Sequence, residues 1–479
     1  MSGLRRAGFA AAAFVVGTAL ALLLGFSGPT LGPTTSGDTG LAAAVRGALD
    51  GERGLTAISA ARIEGGRTTF AGLGETRGTA PAPDTPFELG SITKTFTASL
   101  LAEAVARDEV RLDDPVSGEL TELEGSDAGA STYRQLATHT AGLPSLPRGM
   151  VVDVLTSTLD NDNPYGGRSR LPLGARPVPV GERGTYRYSN LGVALLGHAL
   201  ARAAGLPDWP TLLQQRLLDP LGMTRTVVVP HLQDEPADVA RPHHDNGWFA
   251  PYWTGRDFAP AGTSTVTTAE DLARFARALL DGTASGASAM DPVADIPGGQ
   301  IGLVWHVREV DGRTITWHNG ATGGTRTILA LDRERGRAVL LLQSSARDLD
   351  TTGLRLAAAE PGAPPVAVDA ATVGWAGMVG WGTLGLLLLV TAVRRWHQSD
   401  RLALPEGALA AAGGLLVLVG HGPWLVVPAA VWGGLLLAWL TLGLLAWRGP
   451  RTGKPLAPWR AAVSAVVSFV MLVLALRSL

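Results

Sequence analysis

Ser91 and Lys94 form the pair of residues in this sequence that is best placed to do chemistry. They stand three positions apart in the segment 87–96, FELGSITKTF, where an apolar helix is predicted to begin. Residues three apart on a helix share a face, so the lysine amine would lie beside the serine hydroxyl. A desolvated lysine near a helix N-terminus can lose its proton and act as a base, which would make Ser91 a nucleophile.

Lysine is scarce in this chain. Lys94 and Lys454 are its two lysines among 40 basic residues, so arginine occupies nearly every other cationic position. Arginine cannot be deprotonated in a protein and would fail as a base. The alternative interpretation, in which S-x-x-K is a chance match and Lys94 is a solvated cation, leaves the choice of lysine there unexplained.

Further motifs follow in a fixed order along the chain. Tyr188-Ser189-Asn190 and His318-Asn319-Gly320 are two of them; the others are Leu112–Val116 (LDDPV), Leu136–Pro144 (LATHTAGLP) and Pro220–Thr224 (PLGMT). Together with Ser91-x-x-Lys94, this set resembles the serine β-lactamase and penicillin-binding-protein superfamily, in the branch of class C β-lactamases, D,D-carboxypeptidases and related esterases. The resemblance covers most of residues 41–345.

The resemblance implies roles for these residues. Tyr188 would shuttle protons beside Ser91 and Lys94, and Asn190 would brace the lysine and contact the acyl amide of the substrate. The alternative for Tyr188 is a buried aromatic residue at a helix start, with Tyr186 as a nearby decoy. In such proteins His139, inside the LATHTAGLP segment, has a structural role.

The segment 318–321 would form the edge of the substrate site. By similarity, the backbone N–H groups of Ser91 and Ala321 would make an oxyanion hole, and Gly320 would let the strand approach closely. His318 and Asn319 occupy positions where the family usually has Lys-Thr or His-Thr. Asn319 departs from the threonine that helps hold a substrate carboxylate, so carboxylate recognition is in doubt; Arg326 is either a replacement or an ordinary strand arginine.

Composition excludes several other classes of function. The absence of cysteine excludes disulfides, thiol nucleophiles and cysteine-ligated metal sites, and a net charge of -2 with dispersed arginines provides no basic stripe for nucleic acid. The group His231, His243, His244 and Asp245 lies in a polar loop without regular spacing and does not indicate a metal site. We therefore expect no cofactor and no metal.

Apolar residues are concentrated at the two ends of the chain. Residues 7–26 could cross a bilayer, and an uncleaved anchor is favoured over a cleaved signal. Four more apolar spans are predicted at 371–393, 402–419, 425–447 and 461–476. With a cytoplasmic N-terminus, the cation-rich loops 394–401 and 448–460 lie inside, which predicts a multi-pass protein of the cell membrane whose middle region is extracytoplasmic.

The predicted organisation has four parts: an anchor or signal segment (1–26), a linker (27–40), the hydrolase domain (41–365) and an all-α transmembrane bundle of about four helices (366–479). Within the domain, a hairpin is expected at 55–74, strands at 301–310, 313–318, 325–331 and 338–343, and helices at 95–107 and 269–280. Strands from both ends around a helical middle predict an α+β fold, and the resemblance implies a β-lactamase/transpeptidase-like one with an antiparallel sheet and a helical subdomain.

The expected function is that of a membrane-bound extracytoplasmic serine hydrolase working through a Ser91 acyl-enzyme on amide or ester substrates. A D-amino-acid peptidase or carboxypeptidase-like activity is favoured, because membrane peptidases that remove an N-acyl-D-asparagine group also carry this domain before a transmembrane bundle. The alternatives are an esterase, a β-lactamase, or a β-lactam sensor that deacylates slowly. The expected partners are a small-molecule or peptide substrate and the lipid bilayer, with no nucleic acid and no indicated protein partner.

Overall fold

The computed structural model describes residues 3–23, 29–147, 150, 157, 162–165, 178, 180–359, 434, 437 and 441. The α-helices in these ranges are α1 (Gly3–Leu23), α2 (Thr39–Ala48), α3 (Thr93–Ala106), α4 (Tyr133–Ala137), α5 (Asn190–Ala203), α6 (Trp209–Leu213), α7 (Asp219–Leu221), α8 (Ala269–Leu280) and α9 (Asp350–Ala358). The strands are β1 (Thr35–Gly37), β2 (Ala57–Glu64), β3 (Arg67–Gly74), β4 (Pro86–Glu88), β5 (Val227–Val228), β6 (Thr265–Thr268), β7 (Ala294–Ile296), β8 (Gly299–Ile301), β9 (His306–Val310), β10 (Arg313–Ala321), β11 (Arg326–Asp332) and β12 (Arg337–Gln343).

Nine of the described strands form one antiparallel sheet in the order β1-β3-β2-β12-β11-β10-β9-β8-β7. The hairpin expected at 55–74 is β2 and β3, joined where Glu64 pairs with Arg67. Strand β2 then pairs with β12, nearly 300 residues later, with Ser59 opposite Leu342. The sheet is thus assembled from distant segments, which confirms the predicted α+β domain. A second sheet, β4-β6-β5, lies where the chain approaches Ser91.

Apolar residues bury both faces of the large sheet. Strand β12 is buried along its whole length, and its side chains alternate between two cores. Val339 and Leu341 pack in one core with residues of α2 and α9. Leu340 and Leu342 pack in the other with residues of α3, α5 and α8. The domain therefore has three layers, with the sheet in the middle and the helical region on the face that carries the site.

One predicted strand is interrupted. The alternating segment 301–310 was expected to be continuous, but β8 ends at Ile301 and β9 begins at His306. Val304 lies between them with φ +59°, and its N–H donates to the Ala137 carbonyl. Val304 and Trp305 are fully buried in the core, so their apolar character reflects a buried turn rather than a strand.

The structure describes most of the N-terminal segment and very little of the C-terminal segment. Helix α1 lies within the predicted N-terminal segment 1–26. Across the described residues, we find no helix whose length and apolar character together would carry it through a membrane. The predicted C-terminal bundle, 366–479, lies outside the described residues except for Gly434, Leu437 and Thr441.

Candidate active site

Ser91 lies in a single 3-10 turn, Gly90–Ile92, between β4 and α3. The α-helix expected to open at Ser91 begins two residues later, at Thr93, and Lys94 lies in its first turn. Because the 3-10 turn runs directly into α3, the spacing of three residues still brings the two side chains together. Lys94 Nζ lies 2.8 Å from Ser91 Oγ and donates to it.

The Lys94 side chain is fully buried, at 0% exposure. Its amine also donates to the backbone carbonyl of Ala261. Within the described part of the chain, no carboxylate forms an ion pair with it. Burial therefore lowers the pKa of Lys94 well below its ordinary value, since a buried charge without a counter-ion is costly. This shift favours the neutral form of the amine, which has a lone pair that can accept a proton.

Tyr188 is the third side chain of this arrangement. Its hydroxyl donates to Ser91 Oγ at 2.9 Å, and its ring lies 4.9 Å from Lys94 Nζ. Burial raises the pKa of Tyr188 above its ordinary value, so the group is a neutral phenol. The ring of His139 packs against it at 4.7 Å, which gives His139 a supporting position, while Tyr186 instead bonds to His306.

The backbone beside Ser91 approaches β10 closely. A Cβ on Gly90, which has φ +62°, would lie 2.6 Å from the Ala321 nitrogen, and a Cβ on Gly320 would lie 2.1 Å from the Leu89 carbonyl oxygen. Glycine at both positions allows this contact. The backbones that carry the Ser91 and Ala321 N–H groups are thus adjacent, as an oxyanion hole requires.

The edge of β10 is open next to the serine. Trp317 is its last residue paired with β9, opposite His306. Residues 318–321 pair only with β11 among the described strands. An extended substrate could therefore lie along this edge and hydrogen-bond to the backbone of β10.

His318 is buried and uncharged. Its ring stacks on His306 at 5.5 Å, and burial lowers the pKa of His318 well below its ordinary value. Its Nδ1 lies 2.6 Å from the Asn319 carbonyl oxygen. A carbonyl can only accept, so Nδ1 carries the ring proton. This motif therefore places no cation beside Ser91.

Asn319 and Arg326 are both engaged with other groups of the protein. The Asn319 amide donates to Asp350 at the start of α9, at 2.6 Å. The Arg326 guanidinium donates to the carbonyls of Thr322 and Thr325, each at 2.9 Å. Arg326 thus holds the turn between β10 and β11.

A small cleft, open to solvent, lies in front of Ser91. It is lined by Ser91, Tyr165, Asn190, Trp253, Phe258, Ala261, Gly262, Thr263 and Ala321. Tyr165 lies 5.3 Å from the Trp253 ring and 5.4 Å from the Phe258 ring, so one wall is aromatic. Asn190 begins α5, and its amide donates to Ser145 Oγ at 3.4 Å. Its contact with a substrate amide and its bracing of Lys94 remain predictions.

Glu88, three residues before the nucleophile, did not emerge from the sequence. It is nearly fully buried and accepts hydrogen bonds from the Trp253 N–H (2.7 Å) and the hydroxyls of Thr322 (2.8 Å) and Thr325 (3.2 Å). Desolvation raises the pKa of its carboxyl to about 7. Glu88 thus ties the strand before Ser91 to the aromatic wall and to the turn after Ala321. The sequence feature that could have identified Glu88 is an acidic residue within the otherwise apolar segment 87–90, FELG.

The histidine-rich loop does not assemble a metal site. Among the described residues, no group of three or more His, Cys, Asp or Glu is placed to hold an ion. His243 instead directs Nδ1 at the Ser344 carbonyl oxygen, 3.2 Å away.

Two curated proteins are similar in sequence to part of this chain. A β-lactamase from Pseudomonas fluorescens is 31% identical over 187 residues, which cover 38% of this chain and 49% of that protein. The D-alanyl-D-alanine-carboxypeptidase/endopeptidase AmpH of Escherichia coli K12 is 30% identical over 188 residues, 37% of this chain and 46% of that protein. The chain thus spans about half the length of these two curated relatives.

A solved structure shows the same fold. The class C β-lactamase from Rhodobacter sphaeroides superimposes with a TM-score of 0.53 at 23% identity, covering 66% of this chain and 96% of that one. The model of the Beta-lactamase family matches residues 41–363, which include Ser91, Lys94, Tyr188 and the 318–321 edge. This match covers more than half of the sequence, and the chain belongs to the Beta-lactamase family.

Proposed function

We propose that this protein is a serine hydrolase that forms an acyl-enzyme at Ser91 on amide or ester carbonyls, with D-amino-acid peptides as the favoured substrates. One observation carries the proposal: Ser91 Oγ lies 2.8 Å from the amine of Lys94, whose pKa is lowered by burial, and 2.9 Å from the phenol of Tyr188, whose pKa is raised by burial. A nucleophile between a base and a proton donor is the arrangement that acyl transfer requires.

The first half of the reaction forms the acyl-enzyme. Lys94 takes the Ser91 proton as Oγ attacks the carbonyl carbon, and the developing oxyanion is held by the N–H groups of Ser91 and Ala321. The proton then passes from Lys94 toward the leaving nitrogen or oxygen, for which the Tyr188 hydroxyl is a relay. In the second half, Lys94 and Tyr188 activate a water molecule in the same way, and the acyl group leaves as the acid.

The substrate class rests on the relatives and on the cleft. The similar proteins include a β-lactamase and a D-alanyl-D-alanine-carboxypeptidase/endopeptidase, and the second name supports D-amino-acid peptides as substrates. The open edge of β10 suits an extended peptide, and Tyr165, Trp253 and Phe258 offer an aromatic surface for an acyl side chain. An esterase or a β-lactamase would use the same groups.

Burst kinetics distinguishes a hydrolase that turns over from a sensor that is acylated once and deacylates slowly. The full chain in detergent is mixed with a p-nitrophenyl D-aminoacyl ester and, separately, with a chromogenic cephalosporin. The proposal predicts steady turnover of the ester beyond one equivalent of product. A stoichiometric burst followed by arrest on both compounds would favour a slowly deacylating sensor, and the absence of both burst and turnover would refute acyl-enzyme formation.

We also propose that the hydrolase domain lies outside the cell membrane, held by the apolar segments at both ends of the chain. The support is the hydropathy of these segments and the arginine-rich loops between them. The natural sequence has no cysteine, so single-cysteine variants give clean labelling. In intact cells a membrane-impermeant maleimide should label Glu124→Cys but not Gln398→Cys. Labelling of Gln398→Cys alone would show that the hydrolase domain lies on the cytoplasmic side of the membrane.

A further inference from the structure

A hydrogen-bonded pair, Asn319 and Asp350, lies beyond the end of the cleft that Ala321 lines. Asn319 and Ala321 are two residues apart on β10, so their side chains emerge on the same face, about 7 Å from each other along the strand. Ala321 lines the cleft, and the Asn319 amide donates to the Asp350 carboxylate at 2.6 Å. Both Asn319 and Asp350 remain partly exposed. A substrate lying along β10 past the oxyanion hole would therefore meet this pair.

Charged groups from several elements surround Asp350. Asp348, exposed just before α9, adds a second carboxylate and raises the pKa of Asp350, whereas Arg326 and Arg308 lower it. Arg326 is committed to the carbonyls of Thr322 and Thr325, and Arg308 lies over the Trp317 ring at 5.7 Å. Asp245 further offsets the charge of Arg326. Arg347 also interacts with Asp348 and Asp245, and its guanidinium donates to the backbone carbonyls of Gly51 and Arg53. Three carboxylates and three guanidinium groups thus share this region, and each guanidinium group has other contacts.

We infer that the Asn319–Asp350 pair selects substrates by the charge of their leaving group: it disfavours a carboxylate at this end of the cleft and favours a neutral or cationic group. The inference rests on the proposed function, because it assigns a leaving group to the Ser91 reaction. A substrate carboxylate would lie next to Asp350, and one amide N–H of Asn319 is already used. An ammonium group could donate to the carboxylate and to Asn319 Oδ1.

A series of three esters tests this. All share a phenylacetylglycyl acyl group, and the alcohol carries a carboxylate, its methyl ester or a primary ammonium. The assay is run at pH 8, above the Asp350 pKa of about 7, on the full chain in detergent. We expect kcat/KM to rise from the carboxylate to the methyl ester to the ammonium substrate. In Asp350→Asn the ratio of ammonium to carboxylate rates should fall at least tenfold.

Controls keep the outcome specific. Asp295→Asn removes an exposed carboxylate at the far edge of the same sheet and should leave the ratio unchanged. Should Asp350→Asn misfold, the wild-type protein gives the same answer, because raising the salt from 50 to 500 mM must shrink the preference if charge sets it. Equal rates on the three esters, or a faster carboxylate ester, overturn the inference while leaving the hydrolase intact. No turnover of any ester, with Ser91 unmodified, refutes the proposed function itself.

Discussion

Ser91 Oγ accepts hydrogen bonds from two groups whose pKa values burial moves in opposite directions. The pKa of Lys94 is lowered, which favours the neutral amine, and that of Tyr188 is raised, which favours the neutral phenol. The site therefore places a base and a proton donor at the nucleophile. The oxyanion hole and the Ala261 carbonyl can stabilise the charge that develops during the reaction.

Lys94→Arg tests the base directly. A guanidinium keeps the positive charge and cannot accept the serine proton, so kcat/KM on a D-aminoacyl ester should fall by about 10³-fold or more. Lys454→Arg, a change of the same type in a predicted cytoplasmic loop, should retain wild-type activity. A Lys94→Arg enzyme within tenfold of wild type would show that Lys94 is not the base.

Glu88 predicts a pH effect on stability. Its pKa is about 7 in the folded protein, against an ordinary value of 4.5. The folded state thus keeps a proton that the unfolded chain releases between these values, and the contribution of this group to stability declines as pH rises through that window. The glutamine carbonyl oxygen can still accept from the Trp253 N–H, and its amide nitrogen can donate to the hydroxyl oxygens of Thr322 and Thr325, with no group that titrates. Between pH 5 and 8, the Tm of Glu88→Gln should therefore fall less than that of wild type; parallel curves would contradict this.

At the scale of the elements, local patterns predicted much of the site. The Ser-Lys spacing, the 55–74 hairpin and the helices near 95–107 and 269–280 depend on neighbouring residues, and all are present, with ends shifted by a few residues. The prediction of a continuous strand at 301–310 was wrong, because a buried turn has the same apolar alternation as a strand. Alternation alone reports burial and does not reveal a positive φ at Val304.

The close contact between β10 and the segment before Ser91 positions two elements of the site relative to each other. In Gly320→Ala, the added Cβ would lie 2.1 Å from the Leu89 carbonyl oxygen and 2.2 Å from Thr327 Oγ1, so the strand must shift. We expect kcat to fall about 10²-fold as the Ala321 N–H loses its alignment. Gly118→Ala, where a Cβ meets nothing within 4 Å, is the matched control. Equal activity of the two variants would show that the Ala321 N–H is not part of the oxyanion hole.

Across the whole molecule, the site depends on contacts that no local pattern reveals. Lys94 meets the Ala261 carbonyl 167 residues away, and Glu88 meets Thr325 across 237 residues. A backbone carbonyl carries no sequence signal, so the first contact could not be predicted. Tyr188 was found through its motif and not through its 97-residue separation from Ser91. The Asn319–Asp350 bond arises only once α9 packs beside β10.

The core beneath the site should control the stability of the whole domain. Phe96 on α3 is fully buried and meets Phe275 of α8 edge-on at 4.9 Å. Phe96→Ala should lower the free energy of unfolding by about 3–5 kcal/mol, measured by urea denaturation monitored by tryptophan fluorescence. Leu232→Ala, at a position 59% exposed, should change it by less than about 0.5 kcal/mol. A small effect at Phe96 would mean that α3 and α8 do not pack as described.

If Ser91 carries the acyl group, mass spectrometry of the intact protein and of its peptides will detect that group on the Ser91 peptide. The full chain is quenched in acid after brief exposure to a D-aminoacyl ester, a D-aminoacyl amide or a β-lactam, then digested and mapped. We predict one acyl adduct per chain, located on the Ser91 peptide and absent from Ser91→Ala. An adduct on another residue, or Ser91→Ala with full turnover, would contradict the account.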